Sequence, residues 1–180
     1  MRAIIFLAEG FEEIEAITII DILRRAEIEV TVVGISGLYI TGAHGITVRC
    51  DCDENNFKLG KDVKMVILPG GMPGTRNLQK SNVVKNAINS AVENNICIGA
   101  ICAAPIILGQ IGLLKDKYAV CYPGFEGELL GANICNEKVC VDDKFITAKG
   151  PGVAVDFALK IVEVLTNVNN MEVIKNDMIY

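Results

Sequence analysis

Apolar positions fall into two alternating patterns along the chain. Arg2–Ala8 is a near-continuous apolar run, as expected of a strand buried on both faces, and Glu12–Ala26 then carries Ile14, Ile17, Ile20 and Leu23 at helical spacing. Ile28–Gly34 predicts a second strand. Tyr39–Ile40 and Ile46–Val48 predict a hairpin or short excursion around Thr41–Gly45. Val63–Leu68 is another buried strand, ended by Pro69-Gly70-Gly71, and Ser81 is an N-cap for a helix running to about Asn94. Ile96–Ile101 predicts a short strand leading straight into Cys102, and Ala103–Gly112 a helix with Pro105 in its first turn. Lys117–Cys121 and Lys138–Thr147 read as further strands, the second turning at Asp142-Asp143. Val153, Phe157, Ile161 and Val164-Leu165 mark a last amphipathic helix, and Asn167–Tyr180 is ambiguous. Strands alternating with helices predict an α/β sandwich on a mainly parallel sheet.

Composition narrows the function classes. A chain of 180 residues fits one domain spanning 1–180, and 51% hydrophobic residues provide a real core. With 17 basic and 22 acidic residues the net charge is −5, and Arg24-Arg25 is typical of the short basic clusters present. A nucleic-acid partner is therefore not expected. No apolar run approaches the roughly 18 residues of a membrane span, and Met1–Ala8 is followed at once by acids, unlike a secretory signal. The expectation is a cytoplasmic protein with no membrane partner. Seven cysteines, an odd count with no CxxC, argue against a disulfide framework. Cys50-Asp51-Cys52 and the Cys135–Cys140 spacing, with His44 the one histidine, do not predict a metal site.

Three segments carry candidate chemistry. Ile98-Gly99-Ala100-Ile101-Cys102-Ala103-Ala104-Pro105 delivers Cys102 from a buried strand onto a tight turn before a helix. That is the layout of a nucleophile elbow with cysteine in place of serine. Amides at a helix start favour a thiolate and would lower its pKa from about 8.5. A small core thiol before a helix is the competing reading. Leu68-Pro69-Gly70-Gly71 ends a strand in glycines, so backbone N–H groups can approach a ligand, with Gly71 a candidate oxyanion donor. An ordinary turn is the alternative. Gly10-Phe11-Glu12-Glu13-Ile14-Glu15 follows the first strand at the same sheet edge. Glu12 and Glu13 suit the helix dipole, whereas Glu15 lies nearer the apolar face, where a carboxyl stays protonated and can donate to a thiolate.

These segments, with LRRA at Leu23–Ala26, YPGFE at Tyr122–Glu126 and KGPGVAVDFAL at Lys149–Leu159, resemble the DJ-1/ThiJ/PfpI superfamily, in the branch of the Parkinson-disease-associated deglycase. The resemblance runs from Met1 to about Leu165. It implies a flavodoxin-like three-layer sandwich, commonly a homodimer. It also implies that Cys102 is the reactive cysteine, that Glu15 is the protonated glutamate bonded to it, and that the amide of Gly71 faces the pocket. Arg25 is implied to reach the site across a dimer interface. Relatives are described as glyoxalases, deglycases, oxidative-stress sensors, peptidases or chaperones. The peptidase-like and chaperone-like branches place His directly after the cysteine, where this chain has Ala103, and Tyr122 stands where relatives often carry His. His44 lies in a turn where relatives carry a basic residue near the pocket; a plain surface histidine is the alternative.

The sequence therefore predicts a cysteine-dependent glyoxalase or deglycase, not a peptidase, acting on small 2-oxoaldehydes or their adducts without cofactor. Cys102 and Glu15 would be catalytic, and Gly71, Ala103, Arg25 and His44 binding residues. The alternative is a non-catalytic redox sensor working through oxidation of Cys102. A scaffold with an idle cysteine is a third reading.

Overall fold

In the computed structural model, which describes residues 1–180, the apolar runs sort onto the two faces of one sheet. β1 (Arg2–Leu7) sends Ala3, Ile5 and Leu7 to one face and Ile4 and Phe6 to the other, all of them buried. A central parallel strand must be apolar on both sides because both faces are covered. There follow α1 (Glu13–Arg25), β2 (Glu29–Gly34), β3 (Tyr39–Thr41), β4 (Thr47–Arg49), β5 (Cys52–Asp53) and β6 (Val63–Leu68). Then come α2 (Gly74–Lys80), α3 (Asn82–Glu93), β7 (Cys97–Ile101), α4 (Pro105–Gln110), β8 (Tyr118–Ala119) and β9 (Asn133–Ile134). β10 (Val139–Asp142), β11 (Phe145–Ala148), α5 (Ala154–Leu165) and α6 (Val168–Asp177) complete the chain.

The seven-stranded sheet has the order β10-β11-β7-β6-β1-β2-β5, parallel except for the antiparallel β10–β11 hairpin. One face packs on α1, α5 and α6 through residues such as Ile19, Phe157 and Ile174. The other packs on α2, α3 and α4 through Leu78, Ile88 and Ile106. This is the predicted flavodoxin-like three-layer sandwich. The hairpin at residues 39–49 is present as a separate antiparallel ribbon of β3 and β4. Ser81 caps α3 as expected, its Oγ accepting the Val84 N–H at 3.3 Å.

Four elements differ from expectation. α1 turns Glu15, Ala16, Ile19, Ile20, Ile22 and Leu23 inward, so Ile14 and Ile17 are 58% and 42% exposed. The inward set keeps the 3.6-residue period from Glu15 on, which rotates the stripe expected from Ile14, while Glu13 is buried separately against the β3–β4 turn. Lys117–Cys121 shrinks to the two residues of β8, which pair with β9 outside the main sheet. It ends because Val120 N–H donates to the Thr147 side chain (3.0 Å) and Tyr122 N–H to the Cys102 carbonyl (2.7 Å). α2 carries few of the periodic apolar residues that would announce a helix. The ambiguous tail is α6, which the Asn167 side chain caps by accepting the Asn170 N–H at 2.9 Å.

Candidate active site

β1, β6 and β7 are neighbours in the sheet, and the loops leaving their carboxyl ends meet. Open α/β sheets form their ligand crevices at such ends. Directly after β7, Cys102 has φ +64°, in the left-handed region that side chains with a Cβ avoid at a cost of about 1–2 kcal/mol. Two main-chain bonds hold it there: its N–H donates to Ala148 O (2.9 Å) and its carbonyl accepts the Tyr122 N–H (2.7 Å). The predicted elbow is thus real, and its conformation is fixed by two separate later segments of the chain.

The loop after β1 leads into α1 and brings Glu15 to the same place. Its side chain is fully buried, and Oε2 accepts the Gly70 N–H at 2.7 Å. The carboxyl lies within hydrogen-bonding reach of the Cys102 thiol. Oε1 is buried with no well-aligned partner.

The loop after β6 fits between them. A Cβ on Gly70 would lie 2.6 Å from Cys102 Cβ, 2.7 Å from Glu15 Oε2 and 3.0 Å from Ile101 O, so no larger residue fits without displacing both groups. Gly71 has φ +90°, and a Cβ there would lie 2.4 Å from the Glu12 nitrogen. The N–H groups of Gly71 and Ala103 both reach the Cys102 sulfur. Sequence reasoning singled out Gly71 and Ala103 and read Gly70 only as part of the Pro69-Gly70-Gly71 turn, with no role of its own.

Burial pushes the Glu15 carboxyl up to about 7; the Gly70 N–H and the thiol pull against this, and the Glu12 charge adds to it. The Cys102 thiol is pushed up to about 12 by burial, then by the charge and hydrogen bond of Glu15, against the Ala103 and Gly71 amides. This corrects the expected lowering of the thiol pKa. α4 is a single short helix behind a half-buried sulfur, and its amides do not outweigh partial burial and a carboxylate at contact. The two groups form a pair that accepts one negative charge and resists a second. With that charge on sulfur, protonated Glu15 is the donor and the two amides hold the thiolate.

The remaining candidates lie further out. His44 is exposed in the β3–β4 turn, its Nδ1 3.0 Å from Glu13 Oε2 and 3.6 Å from Glu12 Oε1. Hydrogen bonding to Glu13, then the Glu12 and Glu13 charges, raises its pKa. His44 therefore serves Glu13 and does not touch the sulfur. Glu12, Glu13 and His44 are the one grouping with metal-ligand atoms within 4.8 Å of one another, and the imidazole is already engaged as Glu13's partner. Arg25 ends α1, pairing with Asp21 at 2.7 Å; ten residues of helix set it about 15 Å from Glu15 along the axis. It is not part of the site within one chain. Tyr122 borders the site through its backbone and stacks edge-on with Phe125 at 6.5 Å between ring centroids.

Residues 1–164 match the DJ-1/PfpI family. The chain is 36% identical over 172 residues to Drosophila melanogaster protein dj-1beta, covering 91% of this chain and 88% of that one. It is 34% identical over 159 residues to the Caenorhabditis elegans glutathione-independent glyoxalase DJR-1.2, covering 87% of this chain and 84% of the other. Oxidised Toxoplasma gondii DJ-1 superposes with a TM-score of 0.92 at 33% identity, covering 99% and 98% of the two chains.

Proposed function

Because the chain belongs to the DJ-1/PfpI family, we propose that it is a glutathione-independent glyoxalase acting on methylglyoxal-like 2-oxoaldehydes or their early adducts. The observation that carries this reading is the convergence of Cys102 and Glu15 around Gly70. The Caenorhabditis elegans relative named as a glyoxalase supports it.

The Cys102 thiolate adds to the aldehyde carbon, forming a C–S bond and a hemithioacetal. The Gly71 and Ala103 amides, which hold charge on the sulfur, are suited to take it over on the adjacent oxygen. Glu15, protonated beside the thiolate, gives its proton to the new oxyanion; the carboxylate so formed removes the proton from the former aldehyde carbon and returns it to the neighbouring carbonyl carbon, while the hydroxyl proton passes between the oxygens. A carboxyl near 7 is matched to giving and taking protons at neutral pH. The first carbon is oxidised to a thioester and the second reduced to an alcohol, so no external electron carrier is needed. Water then cleaves the thioester to a 2-hydroxy acid and the free thiol. A cysteine–histidine peptidase mechanism is not supported, because Ala103 follows the nucleophile and His44 is paired with Glu13.

Proton NMR of methylglyoxal with pure protein, without glutathione, tests this. Lactate should form, Cys102→Ser should abolish it, and Glu15→Gln should slow it by about 10²-fold or more. Lactate formation at the wild-type rate by Cys102→Ser would refute the mechanism. The oxidised Toxoplasma gondii relative favours a second reading, a sensor that responds through the Cys102 sulfur. Stoichiometric oxidation of Cys102 by dilute peroxide in a protein without turnover would favour it instead.

A further inference from the structure

A second pair of sulfurs lies beyond the elbow. Cys135 follows β9, and its N–H donates to Ala119 O at 3.1 Å. The next residue after Ala119, Val120, donates its N–H to Thr147 Oγ1 at 3.0 Å, and Thr147 stands directly opposite Cys140 in the β10–β11 ladder. Both cysteines are therefore fixed against the same Ala119–Val120 strip, with the Cys135 thiol near enough to Cys140 to perturb it. The turn joining them is pinned from outside by Lys149, whose Nζ donates to the Asn136 carbonyl (3.0 Å) and Oδ1 (2.8 Å). Cys135 is partly exposed and borders a pocket of about 200 Å³, whereas Cys140 is 8% exposed.

We propose that Cys135 and Cys140 are a reversible dithiol–disulfide pair, oxidised by hydroperoxides independently of the Cys102 chemistry. The partly exposed Cys135 sulfur attacks the peroxide; the O–O bond breaks, leaving Cys135 as a sulfenic acid and releasing the alcohol, or water from hydrogen peroxide. Cys140 then attacks that sulfur. An S–S bond forms, the S–O bond breaks, and the hydroxyl leaves as water with the Cys140 proton. Two thiols lose two electrons and the peroxide gains them. Cys140 is buried and Cys135 partly exposed, so a peroxide from solution meets the Cys135 sulfur first and leaves Cys140 the second role. The bond would close beside the ladder position Val139–Ala148, and Ala148 is the residue whose carbonyl holds the Cys102 N–H.

Peptide mapping of the full chain after brief treatment with equimolar hydrogen peroxide, without reductant, reads this directly. Combined cleavage after Lys, Arg and Glu separates Cys121 from Cys135, and Cys135 from Cys140. The expected product is Leu129–Glu137 linked to Val139–Lys144, two hydrogens lighter than their sum and released by dithiothreitol. It should form equally in Cys102→Ser, which separates it from the proposed activity. It should vanish in Cys140→Ser, where Cys135 instead stops at the sulfenic acid and is captured by dimedone. Cys135 reaching sulfinic acid in the wild type, remaining a free thiol, or linking to Cys121 would each overturn the proposal. Circular dichroism of the variants in parallel establishes that the fold is retained.

Discussion

Glu15, the proton carrier of the proposed reaction, is held by the fold in a state that weakens stability at neutral pH. Its carboxyl is held near 7 in the fold, against an ordinary value of 4.5. Between those pH values the unfolded chain releases a proton that the folded chain keeps, so stability falls as pH rises from about 4.5 to about 7. The full shift corresponds to about 3 kcal/mol. Thermal melts across that range should show the wild type losing stability relative to Glu15→Gln; parallel curves would mean that the carboxyl is not desolvated. Gly70 makes the complementary case. Gly70→Ala should cost about 1–3 kcal/mol by overpacking and should abolish turnover, since its Cβ meets Cys102 and Glu15 together. Wild-type activity in folded Gly70→Ala would show that the close approach is not needed. Cys102, Glu15 and Gly71 were legible in the sequence because each belongs to a motif at a strand end. Gly70 was not, because whether a glycine is there for its φ or for its missing Cβ depends on what packs against it, and here those groups come from two distant segments.

The ribbon of β3 and β4 is held to the body by main-chain bonds from Gly10 N–H to Thr41 O and Ala43 N–H to Phe11 O, by Thr41 N–H to Glu9 Oε1, and by one buried acid. Glu13 Oε1 accepts the His44 N–H (2.7 Å) and the Ile46 N–H (3.3 Å), and Oε2 faces the His44 ring at 3.0 Å. Burial works against this charge, but the bonds from the His44 ring and from the Glu13, His44 and Ile46 N–H groups win and hold its pKa below 4.5. Glu13→Ala should leave those N–H groups unpaired and cost about 1–3 kcal/mol. Hydrogen exchange should then accelerate at His44 and Ile46 while β1 and β6 stay protected; uniform acceleration would show that the ribbon is not a separate unit. In the sequence Glu13 read only as a helix-dipole acid, because its partners lie some thirty positions downstream. The long apolar strands and amphipathic helices were readable because period alone defines them. β5, β8 and β9, at two residues each, are too short for a period to register, and bonds to the Thr147 side chain and the Cys102 carbonyl end β8 early.

At the scale of the whole molecule, α1 exposes Ile14 and Ile17, and the neighbouring ribbon exposes Ile46 at 57%. The tail at Met171–Tyr180, an alternative cover for this face, packs instead on α5, where the Tyr180 hydroxyl donates to Asp156 at 2.9 Å. The proposal of a homodimer through α1 is the one that buries these residues. Light scattering should then give twice 19.4 kDa, and Ile17→Asp should halve it without unfolding the chain. A wild-type mass of 19.4 kDa would defeat both the dimer and a role for Arg25 across it. The order in which the site is assembled has a further consequence. Glu15 and Gly70 are 55 positions apart, and the thiol they control lies later still, on the strand that closes against β6. A chain emerging from synthesis carries an ordinary carboxylate and ordinary thiols until β7 docks. During that interval Cys102 has neither its carboxyl neighbour nor its left-handed backbone, and the second is secured only when β11 closes beside β7.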